Sequence, residues 1–385
     1  MADPENEPIL SALEGVPQYV LDHAPLLHLF SKDRHRPSSI AAQVPNTHPA
    51  IDFKTVPVPS PPLTLDNLDQ LNSVGANGGR DCYLTSNDDV TKSPKWLEGV
   101  QVDANGGTGE SKTGVVIVVD KGGGVVDAFY FYFYANNWGG VVLAKELGDH
   151  VGDWEHNMIR FNNGVPQSVW LSQHANGAAY TFSSLNKDKS GKRPVLYSAN
   201  GSHAVYPTAG KHDHTIPNLP LPFPFILVDE TDAGPLYDPI LSSYYYTYTP
   251  PTTSTDPFTG TFTPISPSPP DTPTRFLHFT GRWGDAEYPE SDPRQKGKGL
   301  FGFKKFVGGP TGPADKQLVR AQVWPQNQWS AGQRIRTGLD GRSWLRDGLG
   351  KLACCGGLGR SKAERERNKA MKGVKRINVN GEVVG

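Results

Sequence analysis

Between Asp153 and His174 the chain reads as two alternating segments joined by Asn163-Gly164. An Asn-Gly pair in that setting favours a two-residue type I′ hairpin turn, because both central residues must take positive φ. With Asn163-Gly164 as the loop, Asn162 pairs with Val165. Asp153 then falls opposite His174, Glu155 opposite Ser172, His156 opposite Leu171 and Met158 opposite Val169. The two-residue period of a strand sorts these side chains. Asp153, Glu155, Asn157, Ser172 and His174 share one face; Trp154, His156, Met158, Val169 and Leu171 share the other. A bulge of one residue would move every side chain beyond it to the opposite face.

The neighbouring sequence repeats the pattern. Gly114 to Asp120 is a continuous apolar run of strand length, Lys121 to Gly124 a turn, and Val125 to Tyr134 a second strand carrying the alternation Phe129-Tyr130-Phe131-Tyr132-Phe133-Tyr134. Segments 193–198 and 202–206 flank another turn, Asn200-Gly201. With 42 Gly and 34 Pro in 385 residues, short strands and loops are favoured over long helices. The expected fold is mostly β, an antiparallel β-sandwich built from consecutive hairpins with few short helices. The alternating aromatics there and at Tyr244–Tyr248 read as core on one face and a girdle on the other.

Around these strands the organisation is less regular. Residues 1–16 read as a flexible N-terminus and 17–345 as a single mostly-β domain, whose first stretch, 17–60, is an extended wrapping segment rich in proline. Leu65, Leu68 and Leu71 suggest a short helix with Thr64 as N-cap. Residues 250–274 hold eight prolines among Ser and Thr and read as a mobile low-complexity insert. Strand-like Phe276 to Phe279 follows it, and Leu318 to Trp324 is a last apolar segment. Residues 346–385 read as a basic, largely disordered tail. Ser361 and Glu364 form a capping box that predicts a short helix over 362–372.

The formal net charge is −1, yet residues 342–376 hold eleven Lys/Arg against three Asp/Glu, so the body is acidic and the tail basic. That tail, beside Cys354-Cys355, suits peripheral contact with an acidic membrane, assisted by lipidation of the two cysteines. Three cysteines, two of them adjacent, imply no disulfide framework. An acidic start without an apolar core predicts no signal peptide, and no stretch reaches the roughly 18 apolar residues of a spanning helix. A cytoplasmic chain is expected, peripheral membrane contact through the tail aside, and not a secreted one. No nucleic-acid partner is expected. There is no Gly-rich phosphate fingerprint, nucleophile elbow or Cys-x-x-Cys spacing.

Candidate chemistry therefore centres on the hairpin. Asp153, Glu155, His174 and His203 are candidates for acid–base work or for ligating a divalent metal, Zn²⁺, Mn²⁺ or, with more oxygen ligands, Ca²⁺. Arg282, in the glycine-bracketed Gly281-Arg282-Trp283-Gly284, is a candidate anion stabiliser. His156 reads as a core histidine bonded to a backbone carbonyl. His212 and His214 flank Asp213 in a loop bounded by proline, and a bidentate histidine pair is not expected there.

Several longer stretches carry a resemblance: Asp127-Ala-Phe-Tyr-Phe-Tyr-Phe-Tyr134, His150-Val-Gly-Asp-Trp-Glu-His156, Leu171-Ser-Gln-His174, Tyr197-Ser-Ala-Asn-Gly-Ser-His203-Ala, Asp229-Glu-Thr-Asp-Ala-Gly-Pro-Leu-Tyr-Asp238 and Phe279-Thr-Gly-Arg-Trp-Gly-Asp-Ala-Glu-Tyr-Pro289. In this order they resemble the fungal and plant proteins grouped as vacuolar protein sorting-associated protein sixty-two, over roughly residues 15–345. The resemblance implies a part in protein delivery to the vacuole, through an unknown protein or small-molecule ligand, and brings no biochemical activity with it. It places the chain, if peripheral, at the vacuole or another internal membrane. The alternative is an enzyme, a metal-assisted hydrolase or cyclase, using Asp153, Glu155, His174 and His203 with Arg282.

Overall fold

The computed structural model describes residues 15–142, 144–174, 176–213, 228–295, 304–326 and 334–339, and two short strands, Arg376–Ile377 and Val383–Val384. Residues 1–338 form one compact unit and 339–385 another. In the second, the two short strands pair antiparallel. The expectations for Cys354, Cys355, the basic stretch 342–376, the helix over 362–372 and His214 lie outside the described residues.

The first unit is mostly β and sandwich-like. Its main sheet has eight strands: β1 Gly114–Asp120, β2 Val125–Asn137, β3 His150–Asn162, β4 Val165–Gln173, β5 Asn176–Thr181, β6 Ser243–Thr249, β7 Thr261–Pro264 and β8 Ile335–Arg336. They lie in the order β7-β6-β1-β2-β3-β4-β5-β8. Strands β1 to β5 form the expected antiparallel meander. The sheet is mixed, however. Strand β6 joins β1 in parallel, and β8 joins β5 in parallel. The long excursion after β5 carries the chain over one face and returns it to the far edge, which a hairpin cannot do.

That excursion builds a second, four-stranded sheet in the order Val205–Tyr206, Val195–Ser198, Leu26–His28, Leu236–Tyr237. Its third strand comes from the wrapping segment. It covers the tyrosine face of β2: Tyr132 meets Tyr237 edge-on, and the Tyr134 hydroxyl lies 3.4 Å from Ser198 Oγ. The phenylalanine face packs under a layer of loops and 3₁₀ turns, where Trp283 meets Phe133 and Trp154. Both faces of the Phe129–Tyr134 run are thus core, with every ring at most 1% exposed. The expected girdle is absent because a second layer covers each side.

Three local expectations are corrected. The apolar Leu65/Leu68/Leu71 spacing gives a 3₁₀ helix, Leu68–Ser73, with Asn67 as N-cap position. Thr64 instead takes part in a tight turn, its Oγ accepting the Asp66 N–H at 3.2 Å. The proline-rich 250–274 segment supplies edge strand β7 and buries Phe258, Phe262 and Ile265. At an edge, proline's missing N–H faces outward and costs no ladder bond. The segment Arg275–His278 is a 3₁₀ helix, not a strand.

The β3–β4 register starts as expected, with Val165 opposite Asn162 and Pro166 opposite Phe161. It then slips by one residue, placing Ser168 opposite Arg160, Val169 opposite Ile159 and Leu171 opposite Asn157. Pro166 has no N–H to give the ladder, and proline inside a sheet is accommodated at bulges. Val169 and Leu171 therefore join the Asn157 side. Among the described residues no helix is long and apolar enough to cross a membrane.

Candidate functional site, a buried acid and imidazole network

The site begins where β3 passes beneath the Trp283–Gly284 segment. Gly152 has φ +68°, and a Cβ there would collide with the Trp283 carbonyl. Glycine alone meets both demands. The strand then turns Asp153, Glu155 and Asn157 onto the tyrosine face, opposite Tyr134, Tyr132 and Tyr130. Trp154, His156 and Met158 go to the phenylalanine face, opposite Phe133, Phe131 and Phe129.

Two histidines descend on the carboxylates from turns. The His203 ring stacks on Tyr134, centroids 3.6 Å apart and planes 2° from parallel. Its Nδ1 lies 2.9 Å from Asp153 Oδ2, and its Nε2 lies 3.6 Å from Asp33 Oδ2. The Asp33 carboxylate accepts the Gly201 N–H at 2.8 Å. His174 Nε2 pairs with Asp229 at 2.8 Å. Asp229 also accepts the hydroxyls of Ser202, at 2.8 Å, and Tyr206, at 2.6 Å. Consecutive residues Ser202 and His203 therefore bridge the Asp229 and Asp153 halves. Between them, Glu155 accepts the Ser172 hydroxyl, while Ser172 Oγ accepts the His156 N–H at 2.9 Å.

Both histidines take φ +55°, the left-handed region. Non-glycine residues pay a conformational penalty there, and such outliers concentrate at functional sites.

Burial and charge set the protonation states. Burial, reinforced by the Asp153 charge, pushes the Glu155 carboxyl up to about 8; the Ser172 bond and His174 offset only part of this. Burial lowers the His174 pKa, but the charge and hydrogen bond of Asp229, with Glu155 and Asp153 nearby, raise it overall to about 9. For His203 burial is likewise outweighed, here by the bond to Asp153 and the charge of Asp33. At neutral pH the network thus holds the His174 imidazolium against Asp229 and a protonated Glu155 beside it, while the neighbours of His203 favour its charged form. It can store and relay protons.

The structure brings Asp153, Glu155, His174 and His203 together as expected. It pairs them differently: Asp153 bonds His203, and His174 bonds Asp229. The metal reading is not supported. The imidazole nitrogens that would coordinate a cation face carboxylates, and among the described residues no three His, Cys, Asp or Glu are grouped to hold a metal ion. Arg282 does not join. Its backbone pairs with Tyr83 and Thr311 in the layer over the phenylalanine face, across the sheet from Asp153. His156 is buried there as expected, but its Nε2 accepts from the Arg320 guanidinium at 2.8 Å instead of meeting a carbonyl. Burial and that neighbouring charge hold His156 neutral. His212 stacks on Tyr206.

Sequence reasoning missed Asp33 and Asp229. Asp229 lies in one of the motif stretches, but nothing in its spacing ties it to His174. Asp33 belongs to the charged run Lys32-Asp33-Arg34-His35-Arg36 inside an otherwise apolar wrapping segment, a signal that a site was being approached. Beside the network lies a cavity of about 540 Å³, whose lining includes Asp33, His35, Asn136, Trp138, Asp149 and Lys305.

The family profile for vacuolar protein sorting-associated protein 62 matches residues 135–214, which contain Asp153, Glu155, His174 and His203. Among curated proteins of Saccharomyces cerevisiae, the putative vacuolar protein sorting-associated protein TDA6 is 37% identical over 364 residues, covering 85% of this chain and 74% of the relative. Vacuolar protein sorting-associated protein 62 is 35% identical over 346 residues, covering 84% and 71%. Among solved structures, a necrosis and ethylene inducing protein 2 from the causal agent of cocoa's witches' broom disease aligns over 54% of this chain and 72% of its own, with 16% identity and a TM-score of 0.24. That likeness is too low to transfer anything. The identities and coverage of the two yeast relatives establish that the chain belongs to the vacuolar protein sorting-associated protein 62 family.

Proposed function

We propose that this chain acts in intracellular protein sorting by binding a ligand or partner at the cavity beside the acid and imidazole network. The relatives' names support the sorting role. One observation favours binding over catalysis: the reactive groups are spent on one another and, His174 apart, shut in. The His203 side chain is 1% exposed and that of Asp153 8%. The network ties strand β3 to the turns beneath the second sheet, and only its Asp33 end reaches the open cavity. In this reading it is a rigid floor that fixes the cavity wall.

The test is complementation. In a yeast strain lacking both relatives, the secreted fraction of a vacuolar hydrolase is measured with and without this chain. Expression of the wild-type chain restores retention, whereas His203→Ala, soluble and expressed to the same level, does not. Full restoration by His203→Ala removes the network from the function.

The second reading, acid–base catalysis, draws on the proton that Glu155 holds at neutral pH beside His174. It needs a substrate atom within hydrogen-bond reach of Glu155. Glu155 is 6% exposed and already bonded to Ser172, so this reading requires the second sheet to lift.

A further inference from the structure

The charges around the cavity are already engaged. Its lining holds three cationic side chains, Lys32, Arg34 and Lys305, and three acids, Asp33, Glu146 and Asp149. Asp33 accepts the N–H groups of Gly201 and His35, both at 2.8 Å, and faces His203. Asp149 accepts the Gly139 N–H at 3.0 Å, and Lys305 is ion-paired with Glu146. Arg34 is paired with Glu98, and Lys32 is exposed to screening solvent. Neither sign of charge is in surplus, so the lining selects neither an anion nor a cation.

The hydrogen-bonding capacity left over belongs to uncharged groups. The Asn200 carboxamide and the Trp138 indole N–H line the cavity, lie on half-buried residues and make no hydrogen bond to any described residue. Asn136 offers its Nδ2 to His35 Nε2 at 3.3 Å and leaves its Oδ1 open. Burial, with the His203 charge nearby, lowers the His35 pKa to about 4, so this wall is neutral too.

Backbone bonds fix two of these groups side by side. The Asn200 N–H donates to the Glu230 carbonyl, and the Trp138 N–H to the Gly201 carbonyl, both at 2.9 Å. Gly201 takes φ +74°, and a Cβ there would strike Trp138. The glycine thus lets the turn carry Asn200 close against the indole. The chain itself shows what an unoccupied carboxamide can hold. The Gln70 side chain brackets Ser60, its Oε1 accepting the N–H at 2.5 Å and its Nε2 donating to the carbonyl at 3.1 Å. A carboxamide carries the same donor and acceptor types as a peptide group.

We propose that this cavity binds an extended, uncharged peptide segment of a partner protein by its main chain. The Asn200 carboxamide brackets the N–H and C=O of one residue, and Trp138 packs against the neighbouring peptide plane. Main-chain bonds supply affinity in such sites, and adjoining pockets sort the side chains. A volume of about 540 Å³ lies within the range of small-ligand sites. A charged segment would leave its charge unmatched among groups already paired. A sugar would call for acceptors toward adjacent hydroxyls, and Asp33 and Asp149 are taken up by N–H groups. This assignment rests on the cavity being the ligand site named above and specifies the chemistry of that ligand.

The experiment is saturation-transfer NMR on the full chain at pH 7.5 with Nα-acetyl-trialanine methylamide. The controls are its fully N-methylated analogue, which lacks every N–H, and maltose. The peptide binds with a Kd on the order of 1 mM or tighter, and neither control binds. Asn200→Ala, whose lost side chain held no bond in the folded chain, weakens binding about fivefold or more at an unchanged melting midpoint. Trp138→Leu weakens it several-fold. Equal binding of the N-methylated analogue, binding of maltose in place of the peptide, no transfer to the peptide, or full affinity in Asn200→Ala overturns the proposal. If Asn200→Ala loses the peptide yet supports sorting in yeast, the peptide site stands and the sorting role of the cavity falls. If the wild-type chain fails to bind the peptide while His203→Ala loses sorting, the reverse holds.

Discussion

Replacing Glu155 by Gln separates a buried neutral acid from a buried carboxylate, and the two cases predict opposite pH trends. Glu155 sits among Tyr132, Asp153 and Ser172, with its carboxyl raised from 4.5 to about 8. Between those values the folded chain keeps a proton that the unfolded chain has released. Native proton binding in excess means that stability falls as pH rises, and the full cost is reached above pH 8. One pKa unit corresponds to about 1.4 kcal/mol, so the whole shift has a ceiling of about 5 kcal/mol. The group is coupled to Asp153, and about half that ceiling, 2–3 kcal/mol, is the working figure. Glutamine keeps the shape and an acceptor for the Ser172 hydroxyl, and it cannot ionise.

Urea unfolding of wild type and Glu155→Gln at pH 5, 6, 7, 8 and 9 measures the difference directly. The two proteins are expected to agree within about 1 kcal/mol at pH 5, where both carry a neutral side chain. The variant is then expected to gain with each pH unit, and to exceed wild type by about 2–3 kcal/mol at pH 9. His174 contributes in both proteins. Its raised pKa supplies stability that is complete below 6.5 and lost as pH rises through about 9. A third of its side chain is open to water, which screens the pair and limits this share to about 1 kcal/mol. A gap that stays constant from pH 5 to 9, or a variant weaker than wild type at pH 9, would falsify the assignment. Glu155 would then be an ion paired with His174 in the native state.

Asp153→Asn removes the carboxylate beneath His203 and leaves a ring 1% exposed facing Asp33 alone; a thermal melt at pH 7 is expected to show a loss of about 3–5 kcal/mol. An unchanged midpoint would mean that the pair carries no net energy. Gly152→Ala forces a Cβ into the Trp283 carbonyl at φ +68°, for a loss of about 2–4 kcal/mol, read as a lower urea midpoint; wild-type behaviour would show that β3 can move away from Trp283. Arg320→Met strips hydrogen bonds from the carbonyls of Lys316, Gln317 and Val323 and from His156. A loss of about 3 kcal/mol or more is expected by chemical denaturation, and a gain would show that the buried guanidinium costs more than its bonds return.

The fold was legible where a strand's own sequence decides its partner. The Gly122–Gly124 turn and the Asn163-Gly164 turn locate two hairpins, and the period of two separates Asp153 and Glu155 from Trp154 and His156. What could not be read was anything set by a distant segment. The parallel pairing of β6 with β1 depends on where a long excursion returns. The strand Leu26–His28 enters the second sheet between partners from two later parts of the chain. The site shows the same division. Asp153 and Glu155 could be placed on one face, and Ser172 meets Glu155 despite the slip at Pro166, because its hydroxyl reaches across the irregular ladder. The acid for His174 was assigned to the hairpin, whereas it comes from Asp229, 55 residues on. A local register cannot see such a partner.

The backbone of the two histidines bears on whether the network is scaffold or site. Turns at 174 and 203 with φ +55° would form more easily with Gly or Asn, which enter the left-handed region at little cost. A histidine there carries a penalty of about 1–3 kcal/mol each, and each adds a buried imidazole that must be matched by a carboxylate. Asp153 and Asp229 supply that match. Simple cross-linking of two sheets would not require it, since the surrounding tyrosines already fill the space and make neutral hydrogen bonds such as Tyr132 to Asn157. The chain instead places charge, strain and a held proton within one cluster, enclosed except at His174, and of its members Asp33 is the one that lines the cavity. That arrangement fits the proposed role of the network as a wall fixed in position for a ligand, with Asp33 as the member that meets the cavity.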